Sequence, residues 1–303
     1  MVILAKASIT LYSIILILGI IGNGLVIWIA GFRMKKTISA VWFLHLAITD
    51  LLCCLSLPLL IVHWASGTLC SSSPSSEIFC TLYRLLLNIN MSASVFFLTA
   101  MSVDRWVSVM WPFWAKIHRT QKLVRITAGI IWVMSFIWIG LIFYFSVFYV
   151  HDDSYDIELI IDLTRLVVLF VIPFIIIFTS YVTIAFKLKK SKRPQRSQRP
   201  YRIITAVILC FFICWFPYLL RPLIARCFIS SDGILRYLAF SSVFLILACL
   251  NSCINPIIYV FMANDFRHGF LRSIPFRLEK ALSEPPNEPY EEEDHELSPT
   301  SHV

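Results

Sequence analysis

Seven long stretches of the chain carry almost no charge, and they constrain its fold more than any other feature. Six contain no Lys, Arg, Asp or Glu and lie between Lys6 and Arg33, Arg84 and Asp104, Arg125 and Asp152, Arg165 and Lys187, Arg202 and Arg221, and Arg236 and Asp265. The remaining stretch, from Thr37 to roughly Trp64, holds a single acid, Asp50. An α-helix needs about 20 apolar residues to cross a bilayer. The sequence therefore predicts an all-α membrane protein with a bundle of seven transmembrane helices.

The composition agrees with this prediction. The chain has 303 residues, of which 58% are hydrophobic and 15% are charged, whereas a soluble domain has about 25% charged residues. The net charge of +8 suits anionic lipids of the inner leaflet. We expect the partners to include membrane lipids and no nucleic acid.

The basic residues predict the orientation of the chain, because short cytoplasmic loops collect lysine and arginine. The gaps after the first, third and fifth stretches are rich in basic residues, and the last of them reads KLKKSKRPQRSQRPYR. The gaps after the second, fourth and sixth are poorer. We therefore expect an extracellular N-terminus, a cytoplasmic C-terminus and a first helix that serves as its own targeting signal.

Asp50 lies near the middle of the second helix, where an unpaired carboxylate is costly. Oxygen-rich side chains around one carboxylate suit a monovalent cation such as sodium. The alternative is a polar network that is satisfied without an ion, and the sequence does not decide between the two. The candidate residues of this ion site are Asp50, Asn90, Ser94, Asn251, Ser252 and Asn255.

Asp104 and Arg105 lie at the inner end of the third helix, in the string SVDRWVSVM. An adjacent acid and base at the membrane face can neutralise each other until a better partner arrives. The pair is therefore either a switch or an anchor in which the arginine reaches the interface.

Several arginines lie near the outer ends of the helices, beneath an acidic loop, FYVHDDSYDIELIIDL. Guanidinium groups bind carboxylates through two parallel hydrogen bonds. The arrangement indicates a pocket for an anionic group, although Arg165 has Asp162 and Glu158 as alternative partners nearby. These arginines are Arg84, Arg165, Arg221 and Arg236.

Prolines interrupt the sixth and seventh helices. Pro217 removes a backbone hydrogen bond above Trp215, which predicts a kink and a pivot. Asn255 and Pro256 precede Tyr259 near the inner end of the seventh helix.

The chain after the seventh helix divides into two expected parts. We expect residues 1–265 to form the seven-transmembrane domain, 266–282 a short amphipathic helix on the membrane surface, and 283–303 a disordered cytoplasmic tail. The tail contains Ser298, Thr300 and Ser301, and it begins at Ser283.

The nine cysteines divide by location. Six lie in the apolar stretches and are expected to pack as small apolar residues, while Cys70, Cys80 and Cys227 are expected outside. An odd number allows one internal bridge. The pairs Cys70–Cys80, Cys80–Cys227 and Cys70–Cys227 and the absence of a bridge remain open, and Cys70–Cys80 is favoured because it closes a short loop.

Short motifs in a fixed order resemble those of the rhodopsin-like G-protein-coupled receptors: GNGLV, LAITD, Cys80, DRW, Trp132, Pro173 with Tyr181, CWFP and NPIIY. The longer strings GNGLVIWIAGFRMKKT, LTRLVV and NSCINPIIYVFMANDFR are similar to the chemoattractant branch, which includes formyl-peptide, complement anaphylatoxin and chemerin-type receptors.

This resemblance implies a function. The chain would be a plasma-membrane receptor, not an enzyme, for a chemoattractant-type peptide or small acidic ligand in chemotaxis and inflammation. It would signal through an inhibitory-type heterotrimeric G protein, and receptor kinases and arrestin would act on the phosphorylated tail. No cofactor is implied apart from an allosteric sodium ion.

The resemblance also implies roles for individual residues. The ligand-binding residues would be Arg84, Asn88, Arg165, Trp215, Arg221 and Ser241. The G-protein switch would comprise Asp104, Arg105, Tyr181, Asn255, Pro256 and Tyr259.

The chain departs from the family pattern in a few places. No cysteine lies between Cys80 and Cys210, so the bridge that the family makes to the loop between the fourth and fifth helices cannot form. Trp106 replaces the usual tyrosine, and Asn88 and Ser241 replace acids of related receptors. An alternative function is a scavenging receptor that internalises ligand without activating a G protein.

Overall fold

Helices fill nearly all of the part of the chain that the computed structural model describes, which comprises residues 2–33, 37–66, 74–148, 155–190, 199–225 and 231–262 and the single residues 275, 278, 279 and 282. The longer helices are α1 (Val2–Trp28), α2 (Ile38–Ser66), α3 (Pro74–Met110), α5 (Gln121–Phe148), α7 (Ile172–Lys190), α8 (Arg199–Ala225) and α9 (Ser231–Met262). Two shorter helices are α4 (Pro112–His118) and α6 (Tyr155–Leu166).

Seven segments of these helices are long and apolar enough to cross a membrane. This confirms the predicted number and order of the spans. Helices suit such segments because each one satisfies its own backbone hydrogen bonds in lipid. The segments are Ile3–Arg33, Ile38–Ala65, Ile78–Met110, Gln121–Phe145, Ile157–Lys190, Ile203–Ala225 and Ala239–Tyr259.

The helix α3 lies at the centre of the bundle, where it packs against α2, α5 and α7. Other close pairs include α1 with α2 and α9, and α8 with α9. The outward faces stay apolar: Ile17, Phe136 and Ile213 are among the exposed side chains. Such faces suit lipid, because acyl chains do not penalise exposed apolar surface.

The fifth span is interrupted by a turn of π-helix, Val167–Val171, between α6 and α7. Pro173 follows this turn and has no backbone N–H to donate, so the regular hydrogen-bond ladder is broken there. Arg165 lies two residues before this π-turn. A second π-turn, Ile29–Arg33, ends the first span.

Two glycines, Gly19 and Gly22, allow α1 to approach its neighbours closely. A Cβ atom at Gly19 would overlap Cys54 Sγ, and a Cβ atom at Gly22 would lie 2.9 Å from Cβ of Pro256. At Gly24 nothing lies within 4 Å. The close approaches are therefore made to α2 and α9 through Gly19 and Gly22.

Four described residues that follow α9, at positions 275, 278, 279 and 282, are helical. Leu278 and Leu282 are buried, and Glu279 lies 3.5 Å from Arg33 at the end of the first span. The rest of the expected amphipathic segment and the whole tail lie outside the described residues.

The six membrane cysteines are all unbridged, and five of them are buried. Cys80 is buried in the N-terminal part of α3 and is disulfide-bonded. The positions of Cys70 and Cys227 lie outside the described residues.

Candidate functional site

Three groups of polar residues lie along the bundle, and each contains residues that the sequence singled out. We call them the outer cluster (Asp162, Arg165, Tyr218 and Arg221), the core cluster (Thr49, Asp50, Asn90, Ser94 and Asn255) and the inner cluster (Ser39, Asp104, Arg105 and Arg119).

In the outer cluster, two half-buried arginines from different spans lie near one carboxylate. Arg165 Nη1 lies 3.8 Å from Asp162 Oδ1, one turn earlier on α6. Arg221 from α8 is also attracted electrostatically by Asp162. The alternative partner expected for Arg165 is thus present, at a distance that is longer than a hydrogen bond.

Both arginines keep an unused hydrogen-bond donor. The Nε atoms of Arg165 and Arg221 are buried and have no hydrogen-bond partner among the described residues. An unpaired buried donor is costly unless a ligand or ordered water satisfies it. The outer cluster can therefore accept an anionic group.

A column of aromatic rings leads from Arg221 towards the middle of α8. The Arg221 guanidinium lies over the Tyr218 ring, 4.9 Å from its centroid. Tyr218 packs edge-on against Trp215, with 5.6 Å between the ring centroids, and the ring centroids of Trp215 and Phe211 are 6.1 Å apart. Because Trp215 is fully buried, a displacement of Arg221 would be passed on through packed rings.

The other predicted ligand residues take separate positions. Asn88 Nδ2 donates to the backbone oxygen of Arg84, one turn earlier on α3, at 2.7 Å. The side chain of Arg84 is exposed, and Ser241 is half-buried on α9. The side chain of Arg236 lies outside the described residues.

The core cluster brings Asp50 together with residues from α3 and α9. Its carboxylate accepts hydrogen bonds from Asn90 Nδ2 at 3.2 Å and from Asn255 Nδ2 at 2.7 Å. Ser94 Oγ lies 2.8 Å from Thr49 Oγ1 and accepts from Asn90 Nδ2 at 3.4 Å. Thr49 is a member that the sequence analysis missed, although it directly precedes Asp50.

Several buried oxygen atoms in and beside the core cluster have no hydrogen-bond partner among the described residues. They are Oδ1 of Asn90, Asn251 and Asn255 and Oγ of Ser252. Oxygen ligands beside a carboxylate are what a hard cation requires. The donor set of these residues therefore fits a monovalent cation such as sodium.

In the inner cluster, the expected pairing of Asp104 with Arg105 is wrong. Asp104 accepts two hydrogen bonds of 2.7 Å from Arg119, which follows α4. Arg105 instead donates to Ser39 Oγ at the start of α2, and only 6% of its surface is exposed. The reason is geometric, because consecutive residues of a helix point about 100° apart and do not face each other.

The remaining switch residues lie close to this end of the bundle. Tyr259 is buried and packs edge-on against Phe43 at 5.0 Å, and Tyr181 is half-buried against the apolar core. Trp106 Nε1 donates to Thr183 Oγ1 of α7 at 2.8 Å. The tryptophan in place of the family's tyrosine thus bonds α3 to the fifth span.

Comparison with known proteins gives a consistent result. The profile of the family described as 7 transmembrane receptor (rhodopsin family) matches residues 22–259. The chain is 36% identical over 295 residues to a C3a anaphylatoxin chemotactic receptor of Oncorhynchus mykiss, which covers 91% of this chain and 79% of that one.

Two further relatives are similar to the same extent. Formyl peptide receptor 2 of Mus musculus is 34% identical over 303 residues, covering 91% of this chain and 85% of that one. Chemerin-like receptor 1 of Sus scrofa is 36% identical over 309 residues, covering 91% and 82%. All three are similar to this chain over nearly its whole length.

Proposed function

Since the chain belongs to the rhodopsin family of seven-transmembrane receptors, we propose that it detects a chemoattractant peptide or a small acidic ligand and signals through an inhibitory-type heterotrimeric G protein. It is a multi-pass membrane protein and not an enzyme, and by family it resides in the plasma membrane. We also propose that the N-terminus is extracellular.

The unused Nε–H groups of Arg165 and Arg221 are the observation that carries the ligand proposal. A carboxylate of the ligand would satisfy both donors and replace the loose contact with Asp162. Peptides end in a carboxylate, and acidic small molecules carry the same group. The relatives are named as a C3a anaphylatoxin chemotactic receptor, a formyl peptide receptor and a chemerin-like receptor, which supports a peptide ligand.

Signal transfer would begin with the aromatic column. Ligand contact at Arg221 shifts Tyr218 and Trp215, and α8 pivots where Pro217 interrupts its hydrogen-bond ladder. At the inner end, Arg105 leaves Ser39 and becomes accessible to the G protein. Arg105 must move for this to happen, because it is nearly fully buried.

The core cluster is the proposed site of an allosteric sodium ion. Asp50, Asn90, Ser94, Asn251, Ser252 and Asn255 would surround the ion, which would supply positive charge to the buried carboxylate. The unpartnered oxygens support this assignment.

Two further assignments lie mostly outside the described residues. We propose that Cys70 is the partner of Cys80, which would tether the first outer loop to α3. We also propose that receptor kinases phosphorylate the tail at Ser283, Ser298, Thr300 and Ser301 and that arrestin binds the product.

Binding measurements on Arg165 variants test the ligand proposal. The probes are chemoattractant peptides with a free C-terminal carboxylate and the same peptides as C-terminal amides. Arg165→Ala should cost on the order of 2 to 5 kcal/mol of carboxylate-peptide affinity, because a desolvated charge pair is broken. Arg165→Lys should recover only part of it, because an ammonium lacks the guanidinium fork.

The amide peptides are the control, since they should bind wild type and Arg165→Ala almost equally. A carboxylate peptide that binds wild type and both variants with equal affinity would place the pocket elsewhere.

A further inference from the structure

Two hydroxyl groups on one face of α1 have no hydrogen-bond partner among the described residues. They belong to Ser8 and Tyr12, whose side chains are both fully buried. The two residues are four positions apart, so they lie on the same face of the helix about one turn from each other. Both lie in the N-terminal third of the first span. We call them the hydroxyl pair.

The Ser8 hydroxyl differs from the other aliphatic hydroxyls of α1. Thr10 Oγ1 donates to the backbone oxygen of Lys6, and Ser13 Oγ donates to that of Ile9, each at 2.9 Å. Serine and threonine in a helix often bond in this way to the carbonyl four residues earlier. Ser8 does not make such a bond. Because Ser8 is also buried, its hydroxyl is directed away from its own helix and towards the neighbouring helices.

The hydroxyl pair adjoins the outer cluster. Tyr83 of α3 and Tyr218 of α8 lie near enough to the Tyr12 oxygen to interact with it electrostatically. The same two tyrosines interact with the Arg221 guanidinium. Tyr218 is itself a member of the outer cluster, and it therefore has Arg221 on one side and Tyr12 on the other.

The chemistry of the hydroxyl pair indicates what it lacks. A buried hydroxyl without a partner costs free energy, and such a group is explained when a ligand supplies the partner. Trp64 of α2 approaches the Tyr12 oxygen without completing a hydrogen bond. Since an indole can only donate, Trp64 offers nothing to the Tyr12 proton. The missing partner of Tyr12 is therefore an acceptor.

We propose that Ser8 and Tyr12 form a second ligand subsite, in which their hydroxyls donate to backbone carbonyl oxygens of the peptide whose terminal carboxylate lies at Arg165 and Arg221. This inference rests on the proposed function and adds α1 to the helices that recognise the ligand. A peptide suits the subsite because it carries a carbonyl acceptor at every residue. The hydroxyls are neutral, so their contribution does not depend on the charge at the end of the peptide.

Peptide binding and thermal unfolding, measured on full-length purified protein, test the subsite. Ser8→Ala and Tyr12→Phe each remove one hydroxyl and keep the rest of the side chain. The probes are the chemoattractant peptides with a free C-terminal carboxylate and the same peptides as C-terminal amides. Each variant should bind both forms about threefold to tenfold more weakly than wild type, as expected for the loss of one hydrogen bond.

The stability of the ligand-free protein separates binding from packing. Both variants should unfold at the wild-type temperature or above it, because each loses a buried group that has no partner. The matched control is Ser13→Ala, which makes the same change on α1 at a hydroxyl bonded to its own helix. This control should keep the wild-type affinity for both forms of the peptide.

Peptides in which one amide at a time is replaced by a trans alkene identify the acceptor, because the alkene keeps the shape of the chain and removes the carbonyl. At least one such peptide should bind wild type and Tyr12→Phe with equal affinity. A loss in Tyr12→Phe that is the same for every peptide of the set would overturn the proposal.

Wild-type affinity in both Ser8→Ala and Tyr12→Phe would also overturn the proposal. A fall in affinity together with a fall in ligand-free stability would assign the hydroxyls to packing and would overturn it as well. Arg165→Ala, measured in parallel, should weaken binding of the carboxylate forms alone. A loss confined to Arg165→Ala would remove the subsite and leave the proposed function standing. Equal binding of the carboxylate peptides by wild type and Arg165→Ala would contradict the proposed function, and the subsite would fall with it.

Discussion

At the scale of single residues, the direction in which a side chain points from its helix determines its ion-pair partner as much as the distance along the sequence does. Asp104 finds its partner 15 positions later in Arg119, and its neighbour Arg105 turns to α2 instead. The Asp104 carboxylate therefore pairs with Arg119 and does not neutralise Arg105. We infer that the release of Arg105 requires the breaking of its contact with Ser39.

Replacement of Arg105 by alanine should abolish G-protein activation and leave ligand binding largely intact. The reason is that Arg105 is the group that becomes available at the inner face and lies far from the outer cluster. Nucleotide exchange and ligand binding are measured on the same preparation. Ser39→Ala is the control, since it removes the contact and keeps the guanidinium, and it should still activate.

Exchange at the wild-type rate by Arg105→Ala would show that this arginine is not the switch. Equal loss in Ser39→Ala and Arg105→Ala would assign the effect to packing at the inner end.

Replacement of Asp50 by asparagine should weaken the sodium dependence of agonist affinity, because a neutral amide attracts a cation less strongly. The measurement compares affinity in sodium and in a bulkier monovalent cation at constant ionic strength. Asp162→Asn removes a carboxylate outside the core cluster and should keep the sodium dependence. Wild-type affinity that ignores sodium would leave the core cluster as a polar network only.

At the scale of whole helices, close packing of the first span depends on two glycines. Gly22 meets the ring of Pro256, which is rigid and cannot move aside as a flexible side chain would. Gly24 is only two residues later and faces open space. The contact therefore couples α1 to the interrupted part of α9.

The substitution Gly22→Ala should destabilise the protein by about 1 to 3 kcal/mol, the usual cost of overpacking. Gly24→Ala should be neutral or stabilising, because alanine favours a helix over glycine by up to about 1 kcal/mol. Thermal unfolding in detergent compares the two variants with wild type. Equal midpoints for both variants would mean that α1 and α9 do not approach each other at Gly22.

At the scale of the whole molecule, the spans were predictable because a helix that crosses the lipid bilayer must be long and nearly free of charge. Charged residues in the sequence therefore mark the ends of the spans. Asp50, Asn90, Ser94 and Asn255 of the core cluster were also predictable, because Asp50 needs polar partners at the same depth, whereas Thr49 was not predicted. The partner of Asp104 was not, since it depends on how α4 returns Arg119 to α3. The π-turn at Val167–Val171 likewise arises from local geometry that Pro173 only suggests.

Above all, we propose that occupation of the outer cluster by a ligand activates a G protein at the inner end of the bundle. The most direct measurement is guanine-nucleotide exchange on a purified inhibitory-type heterotrimer, with wild-type receptor in a lipid bilayer and a panel of chemoattractant peptides. We predict that a peptide with Arg165-dependent binding accelerates exchange. A peptide that binds through Arg165 and is internalised by cells, but accelerates exchange on no class of heterotrimer, would contradict this prediction and indicate a scavenging receptor.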